Sequence, residues 1–386
     1  MMPAPMTDAA SKDPVPFSKP SYDERELEAV RRALAVQSTG DGPAGRRVEA
    51  RLSALLGAPR VLLTTSGTHA LELALLALGI GPGQEVVCPS FTFVSCANAI
   101  LRVGARPVFA DIEERTLGLD PQDVERRLTP RTVGLLPVDY AGVAPDMAAL
   151  VEIAGARRLR VLEDAAQGIA ASWRGRALGT LGDAGCLSFH ETKNVSCGEG
   201  GALVVHDHEL ALRAEIAREK GTNRSAFLRG QVDKYTWVSQ GSSYVLSDVL
   251  AAILEAQLDK LEAIQARRAE VVARYREGLA GWAAARGVRM AQPLPERVAN
   301  HHIFYLLYPD GRLRDAALAS LRGKGVMATF HYVPLHSSPF GRTLGEQAAL
   351  PVTDRIASTL LRLPLHARLS ERDVERVIEA VRETGA

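Results

Sequence analysis

The chain has 386 residues, of which 46% are hydrophobic, and its formal net charge is +1. This length allows two domains and a large core. The near balance of charge, with no block of like charges, argues against nucleic acid or an anionic membrane as the main partner. Residues 1–15 lack the apolar segment of a secretory signal, and the most apolar run, 70–80, is too short to span a bilayer. We therefore expect a cytoplasmic globular protein.

Between about residues 60 and 205, short β-rich runs alternate with helical stretches. This alternation is typical of an α/β protein whose mostly parallel sheet is covered by helices. The helix after the first strand is predicted over residues 69–79. Strands are predicted at 60–65, 84–90, 106–112, 132–138, 158–164, 184–190 and 201–206.

From residue 246 the apolar residues follow a helical period with no Pro or Gly until Gly278. We expect one long helix here, which connects a large domain (1–259) to a smaller C-terminal α/β domain (260–386). The smaller domain is predicted to contain strands at 302–308 and 326–333 and a helix from about 312. A last helix is predicted to be capped by Ser370, with Asp373 three residues on.

The four cysteines, at positions 88, 96, 186 and 197, form no C-x-x-C pair. A chain of this length does not need disulfides, and a reducing compartment is the default expectation. Each cysteine is expected to be a small buried or half-buried hydrophobe.

Lys193 stands out because nearly all basic residues of the chain are arginines: only seven of the 46 are lysines. It lies in "SFHETKN", after a predicted strand and before the glycine-rich "CGEGG". A lysine amine can lose its proton and act as a nucleophile, whereas guanidinium effectively cannot. The alternative is an ordinary surface lysine on a loop.

The segment "TTSGTHALELALLALG" runs from a strand directly into a helix at Ser66, Gly67 and Thr68. Unpaired backbone N–H groups and the positive end of the helix dipole make such a junction an anion site. The alternative is a tight turn with Thr68 as the helix cap.

Asp164, in "RLRVLEDAAQG", follows the apolar part of a strand, 29 residues before Lys193. Taken alone it could cap a helix or bind a metal, although no His or Cys cluster lies nearby. An anion site, an acid and an amine, each at a strand end, are together what pyridoxal phosphate requires: a phosphate cradle, a partner for the pyridine nitrogen, and an amine for the aldehyde.

The motifs "TSGTHA", "PSFTFVSCANAI", "VLEDAAQ" and "SFHETKN…GEGGALV", in this order, resemble the sugar aminotransferases of the DegT/DnrJ/EryC1/StrS family. That family belongs to fold type I of the pyridoxal phosphate enzymes, the aspartate aminotransferase-like fold with a seven-stranded sheet. The resemblance extends from about residue 16 to 366. "SFHETKN", "REKGTNRSAFLRGQVDKYTW" and "GSSYVLSD" resemble in particular the enzymes that aminate C4 of TDP-4-keto-6-deoxy-D-glucose.

The resemblance implies a role for individual residues. Lys193 would link covalently to the cofactor, and Asp164 would pair with its pyridinium nitrogen. The other implied cofactor contacts are Gly67, Thr68 and Ser188 at the phosphate, Gln167 at the phenolic oxygen, Phe93 at the ring face, and Ser243. The implied substrate contacts are Lys234, Tyr235, Trp237, His331 and Tyr332.

Two positions depart from the wider family pattern. Ser243 stands where many members have an asparagine that contacts the partner subunit's phosphate, and its hydroxyl could replace that contact. Asp139 stands where relatives often carry histidine, and the sequence gives no consequence for this change. His331 and His336 could also be read as zinc ligands, but no third ligand at metal spacing is present, and we expect no metal.

By resemblance, the protein would be a homodimer with shared active sites that transfers an amino group from L-glutamate to C4 of TDP-4-keto-6-deoxy-D-glucose. The product would be a TDP-4-amino-4,6-dideoxyhexose for deoxysugar biosynthesis. The alternatives are a relative acting at C3, one acting on a GDP- or UDP-linked keto sugar, and a non-catalytic nucleotide-sugar-binding protein. The sequence leaves open whether the new amine is axial or equatorial.

Overall fold

The computed structural model describes residues 13–36, 38–345 and 348–385. The α-helices are α1 (Glu24–Val36), α2 (Pro43–Leu56), α3 (Gly67–Ala77), α4 (Ser95–Arg102), α5 (Pro121–Arg127), α6 (Met147–Arg157), α7 (His208–Arg218), α8 (Arg224–Leu228), α9 (Asp248–Asp259), α10 (Leu261–Ala285), α11 (Gly311–Gly323), α12 (Pro351–Thr359) and α13 (Glu371–Arg382). Short 3₁₀ turns cover Tyr140–Gly142 and Gly341–Leu344.

The strands are β1 (Arg60–Thr64), β2 (Glu85–Pro89), β3 (Arg106–Ala110), β4 (Thr132–Leu135), β5 (Arg160–Asp164), β6 (Ser172–Trp173), β7 (Arg176–Ala177), β8 (Ala184–Ser188), β9 (Gly201–Val205), β10 (Arg289–Met290), β11 (Arg297–Val298), β12 (Tyr305–Leu307) and β13 (Leu360–Arg362).

The central sheet has seven strands, as predicted, and their order is β1-β9-β8-β5-β4-β2-β3. Only β9 runs antiparallel to its neighbours. The carboxyl ends of the other six strands therefore lie along one edge of the sheet, where ligands bind in open α/β folds.

Helices cover both faces of this sheet because its strands are apolar on both sides. The buried residues of α1, α2, α6 and α9 form a core on one face. Those of α3, α4 and α7 form a core on the other. The two layers leave the carboxyl edge of the strands accessible to side chains from the loops.

A smaller unit is built on the sheet β10-β12-β13 with α10, α11 and α13. Its core also contains Val15, which pairs with Val326, so the N-terminal segment crosses to this unit. The capping box of Ser370 and Asp373 is present at α13, as predicted. We propose residue 260 as the boundary between the two units.

The prediction of one helix beyond residue 246 is wrong. The chain forms α9 and α10, and Lys260 between them has non-helical backbone angles (φ −102°, ψ 1°). Its buried ammonium contacts Glu26 of α1 at 2.5 Å and Asp23, just before α1, at 3.2 Å, so both ion pairs lie at the break. Helix α10 then passes through Gly278, where a Cβ would lie 2.8 Å from Cδ1 of Ile378. A larger residue at this position would collide with Ile378, so the glycine lets α13 pack directly against the backbone of α10.

The predicted strand at 326–333 is also wrong. This segment makes only single bridges, from Val326 to Val15 and from Thr329 to Arg362. After Thr329 the chain turns toward the large unit, where His331 hydrogen-bonds to Tyr140. The third strand of the small sheet is β13, which the sequence analysis did not predict.

Within the described ranges, no helix combines the length and the apolar character needed to cross a membrane. All four cysteines are free and buried, as expected.

Candidate active site

The junction of β1 and α3 forms one end of the site. Ser66 is the helix cap, since its Oγ accepts from the His69 N–H at 3.1 Å; the alternative in which Thr68 is the cap is wrong. Thr68 Oγ1 instead hydrogen-bonds to Ser95 Oγ at 2.7 Å. Gly67 lies against Ser188 at the end of β8, and a Cβ on Gly67 would come within 2.9 Å of Ser188 Cβ. The missing side chain at Gly67 therefore lets Ser188 pack against the start of α3.

Asp164 ends β5 on the same edge and is buried, with 6% of its surface exposed. Its Oδ1 accepts from the Ala166 N–H at 3.0 Å, and its Oδ2 accepts from the Cys96 thiol at 3.0 Å. The carboxylate therefore caps a turn, not a helix. Among the described residues no group of three or more His, Cys, Asp or Glu is arranged to hold a metal ion.

Lys193 lies half-buried in the loop after β8. Burial of the ammonium lowers the pKa of Lys193 to about 8; the charge of Asp164 opposes this shift and that of Arg362 adds to it. The amine and the Asp164 carboxylate thus face one site. An amine with this pKa is partly neutral near neutral pH and can act as a nucleophile or base.

A polar and aromatic wall lies beside Asp164. Gln167 Oε1 accepts from the Ala141 N–H at 2.6 Å, and Gln167 Nε2 donates to the Tyr332 hydroxyl at 3.2 Å. Phe93 is 58% exposed, with its ring centroid 6.5 Å from that of Tyr332. Three of the predicted contacts, Gln167, Phe93 and Tyr332, therefore lie together on this side of the site.

His331 sits between two groups that the sequence analysis did not identify. Its Nδ1 is 3.1 Å from the Tyr140 hydroxyl, and its Nε2 accepts from Arg362 Nη1 at 3.0 Å. Burial, followed by the charges of Arg362 and Lys193, lowers the pKa of His331 far below its usual value, so the ring is neutral.

Arg362, at the end of β13, has no carboxylate partner among the described residues, and no group accepts from its buried Nε. Its guanidinium lies 4.6 Å from the ring centroid of Phe17 and acts electrostatically on Lys193. Sequence reasoning missed it because Arg362, in "LLRLPLH", is one of 39 arginines and no local motif marks it. Its position in the site depends on the small unit folding back onto the large one.

Asn194, next to Lys193, connects the loop after β8 to the small unit through hydrogen bonds. Its Nδ2 donates to the Asn300 carbonyl at 2.8 Å and to Gln265 Oε1 at 3.0 Å. Burial lowers the pKa of His302 well below its usual value, and the neutral ring's Nδ1 is 2.8 Å from Asn194 Oδ1. The loop that carries Lys193 is therefore held from both units.

Four predicted contacts do not reach this site within one chain. Lys234, Tyr235 and Trp237 lie in the exposed segment after α8, and Trp237 is 78% exposed. Ser243 is exposed and bridges to Glu219.

The site fits pyridoxal phosphate. The N-terminus of α3 at Gly67, with the Ser188 hydroxyl beside it, suits a phosphate. The buried Asp164 carboxylate suits a pyridinium nitrogen, and the Lys193 amine suits the aldehyde. When bound, this cofactor supplies an aldehyde that links to amines and a ring that accepts the electrons of a broken C–H bond.

A sequence profile of the DegT/DnrJ/EryC1/StrS aminotransferase family matches residues 20–382. The aminotransferase TlmJ from Streptoalloteichus hindustanus is 36% identical, with a TM-score of 0.88 over 95% of this chain and 98% of that one. DesV from S. venezuelae is 35% identical, with a TM-score of 0.88 over 96% and 98%. Spr1654 from Streptococcus pneumoniae, in its PLP form, is 26% identical, with a TM-score of 0.89 over 96% and 98%.

The profile covers nearly the whole chain, and the similar structures share its α/β architecture. The chain thus belongs to the DegT/DnrJ/EryC1/StrS aminotransferase family and is a pyridoxal-phosphate-dependent sugar aminotransferase.

Proposed function

We propose that the protein transfers the amino group of L-glutamate to C4 of TDP-4-keto-6-deoxy-D-glucose, giving a TDP-4-amino-4,6-dideoxyhexose for deoxysugar biosynthesis. The choice of sugar and carbon rests on the segments "SFHETKN", "QVDKYTW" and "GSSYVLSD", which resemble those of enzymes that aminate C4 of TDP-4-keto-6-deoxy-D-glucose. The four free cysteines are consistent with a reducing cytoplasm as the place of reaction.

Lys193 is assigned as the base. With a pKa near 8 its amine can take the proton from Cα of the amino donor, and in the second half-reaction return a proton to C4 of the sugar. Asp164 is assigned to hold the proton on the pyridine nitrogen. Burial strengthens that ion pair, because little water competes for the carboxylate.

The remaining cofactor contacts follow the layout of the site. Backbone N–H groups at Gly67 and Thr68 and the Ser188 hydroxyl would hold the phosphate. Gln167 would hydrogen-bond the phenolic oxygen, and Phe93 would lie against the ring.

Arg362 is proposed to bind a carboxylate of the amino donor. Its buried guanidinium acts electrostatically on Lys193 and has an N–H group without an acceptor, which an anionic ligand would satisfy. This supports a carboxylate-bearing donor such as L-glutamate.

The sugar nucleotide is proposed to bind across a homodimer. His331 and Tyr332 would contact it from the same chain, whereas Lys234, Tyr235, Trp237 and Ser243 would reach the partner's site. The exposure of that segment supports this arrangement, since Tyr235 and Trp237 are 57% and 78% exposed in one chain. Exposed aromatic side chains of this kind are enriched at interfaces.

The test is incubation of the purified enzyme with L-glutamate and TDP-4-keto-6-deoxy-D-glucose, followed by NMR of the product ring. A nitrogen-bearing C4 is expected, and the ring couplings also report whether the amine is axial or equatorial. Parallel reactions with a 3-keto TDP sugar and with UDP- and GDP-linked 4-keto sugars serve as controls. Faster turnover of any of these would overturn the assignment of sugar and carbon.

A further inference from the structure

Asp139 and Glu163 form a buried acidic pair behind Asp164. Asp139 is joined to the end of β5 through its backbone: its N–H donates to the Asp164 carbonyl at 3.0 Å, and the Asp164 N–H donates to the Pro137 carbonyl at 2.8 Å. Glu163 precedes Asp164 on β5, so its side chain points to the opposite face of the strand. Both side chains are fully buried, with 0% of their surface exposed.

The two carboxyl groups differ in their partners. Glu163 Oε1 accepts from the Gly179 N–H at 2.7 Å, and Oε2 accepts from the Leu181 N–H at 2.8 Å. No N–H or O–H group in the described part of the chain donates to either oxygen of Asp139. Val138 bridges to Asp164 in parallel, and this pairing brings Asp139 beside Glu163 on the opposite face of β5 from Asp164. The Glu163 carboxyl is the charge that acts most strongly on Asp139.

The surrounding charges do not neutralise two anions. Asp164 on β5 adds a third carboxylate, and Arg176 on β7 acts on Glu163. Arg297 on β11 acts only weakly on Asp139, and its guanidinium already donates to the carbonyls of Ala144, Pro145 and Pro295. Two contacting carboxyl groups in such a site cannot both be ionised.

We propose that Asp139 and Glu163 share one proton at neutral pH, that Asp139 is the neutral acid which donates it to Glu163, and that this hydrogen bond positions Asp164. Two backbone N–H groups stabilise Glu163 as the anion, so the proton resides on Asp139. The end of β5 is then fixed by Gly179, Leu181 and Asp139 together.

The same hydrogen bond also holds the turn at Tyr140–Gly142, which begins directly after Asp139. This turn presents the Ala141 N–H to Gln167 and the Tyr140 hydroxyl to His331. Asp139 is therefore a positioning residue. It acts through Asp164 and Gln167 and does not itself face the cofactor space.

The protonation state has a definite consequence for stability. Burial and the charge of Glu163 raise the pKa of Asp139 well above its usual value. The folded protein then holds a proton that the unfolded chain has lost, so the wild type loses stability as pH rises above the ordinary aspartate pKa. This loss continues until the folded-state pKa is reached.

Asp139→Asn tests this directly, because the amide donates to Glu163 without a titratable proton. The unfolding equilibrium constants of wild type and Asp139→Asn, measured in urea at fixed protein concentration, are expected to diverge by about tenfold per pH unit between about pH 5 and 7. The variant becomes relatively more stable at higher pH. The exposed Asp315→Asn is the matched control and should show a constant ratio. A constant ratio for Asp139→Asn as well would overturn the proposal.

Infrared spectroscopy at neutral pH gives a second readout that needs no unfolding. The wild-type apoprotein is expected to show the carbonyl band of a protonated carboxylic acid, shifted in D₂O. The band should persist in Asp164→Asn and vanish in Asp139→Asn. If Asp139→Asn does not fold, the wild-type and Asp164→Asn spectra remain as the test. Absence of the band from the wild-type spectrum would overturn the proposal.

The positioning role rests on the proposed role of Asp164, whereas the shared proton does not. Asp139→Ala is expected to weaken pyridoxal phosphate binding about tenfold, and the conservative Asp139→Asn to recover most of that loss. Unchanged binding in Asp139→Ala would remove the positioning role while the infrared band still reports the proton. If the substrate test showed no amination at C4, the infrared band would still test the shared proton, and cofactor binding would still test the positioning role.

Discussion

At the scale of single residues, the chemistry depends on what surrounds two charged groups. The Lys193 amine loses basicity because it is desolvated and faces Arg362, while Asp164 partly restores it. The buried Asp164 side chain accepts one hydrogen bond from a thiol and one from a backbone N–H. Neither environment can be read from the residues that flank Lys193 or Asp164 in the sequence.

The pKa of Lys193 sets the pH dependence of cofactor capture by the apoprotein. Below about pH 8 the amine is protonated and cannot attack the aldehyde, so the association rate should rise as pH increases and level off above about 8. Asp164→Asn removes the charge that raises this pKa, so its midpoint should move to lower pH. Stopped-flow absorbance across pH measures both curves. A wild-type midpoint near the ordinary value of 10.5 would contradict the desolvated amine.

Cys96 is more than the buried hydrophobe expected from sequence, because its thiol donates to Asp164. Cys96→Ala should weaken pyridoxal phosphate binding by up to about tenfold, the loss of one hydrogen bond to a charged group, and Cys96→Ser should retain the donor. Equilibrium titration of the apoprotein measures this. Cys88→Ala is the control, since Cys88 is equally buried and has no hydrogen bond to Asp164. Equal losses in both alanine variants would show a packing effect only.

At the scale of elements, the site depends on where helices and strands stop. The ends of β1, β5 and β8 bring Gly67, Asp164 and Ser188 to one edge. The break between α9 and α10 lets the chain leave the large unit and begin the small one. A buried ion pair between Lys260 and Glu26 lies at that break.

Lys260→Met tests the contribution of this ion pair. It leaves the Glu26 carboxylate buried without its cation, and the free energy of unfolding should fall by about 3–5 kcal/mol. The double variant Lys260→Met with Glu26→Gln should recover part of the loss, because the uncompensated charge is gone. Urea unfolding monitored by circular dichroism measures both. A single variant within about 0.5 kcal/mol of wild type would show that the ion pair does not hold the junction.

At the scale of the whole molecule, one chain brings Lys193 and Asp164 together but leaves Lys234, Tyr235, Trp237 and Ser243 facing solvent. The proposed dimer gives these four residues a partner site. The arrangement predicts that two inactive variants complement each other when mixed.

Lys193→Arg keeps the positive charge and should abolish turnover, and Lys234→Ala should lower it strongly. Unfolded and refolded together in equal amounts, the two should regain about a quarter of wild-type activity, because half of the dimers are hybrids with one intact site. Each variant refolded alone is the control. No recovery, although sedimentation shows that the mixture has refolded to dimers, would place Lys234 in the site of its own chain.

The sequence by itself determined the α/β class and the seven strands of the sheet, because strand patterning is local, and it predicted roles for Lys193 and Asp164 from their positions at strand ends. It failed at Lys260 and at residues 326–333, where distant ion pairs and the contacts of His331 override the local pattern. The contacts of Arg362 and Cys96 and the burial of Asp139 arise only in the tertiary structure. Desolvation and hydrogen-bond geometry arise when residues far apart in the chain pack together, and no local pattern records them.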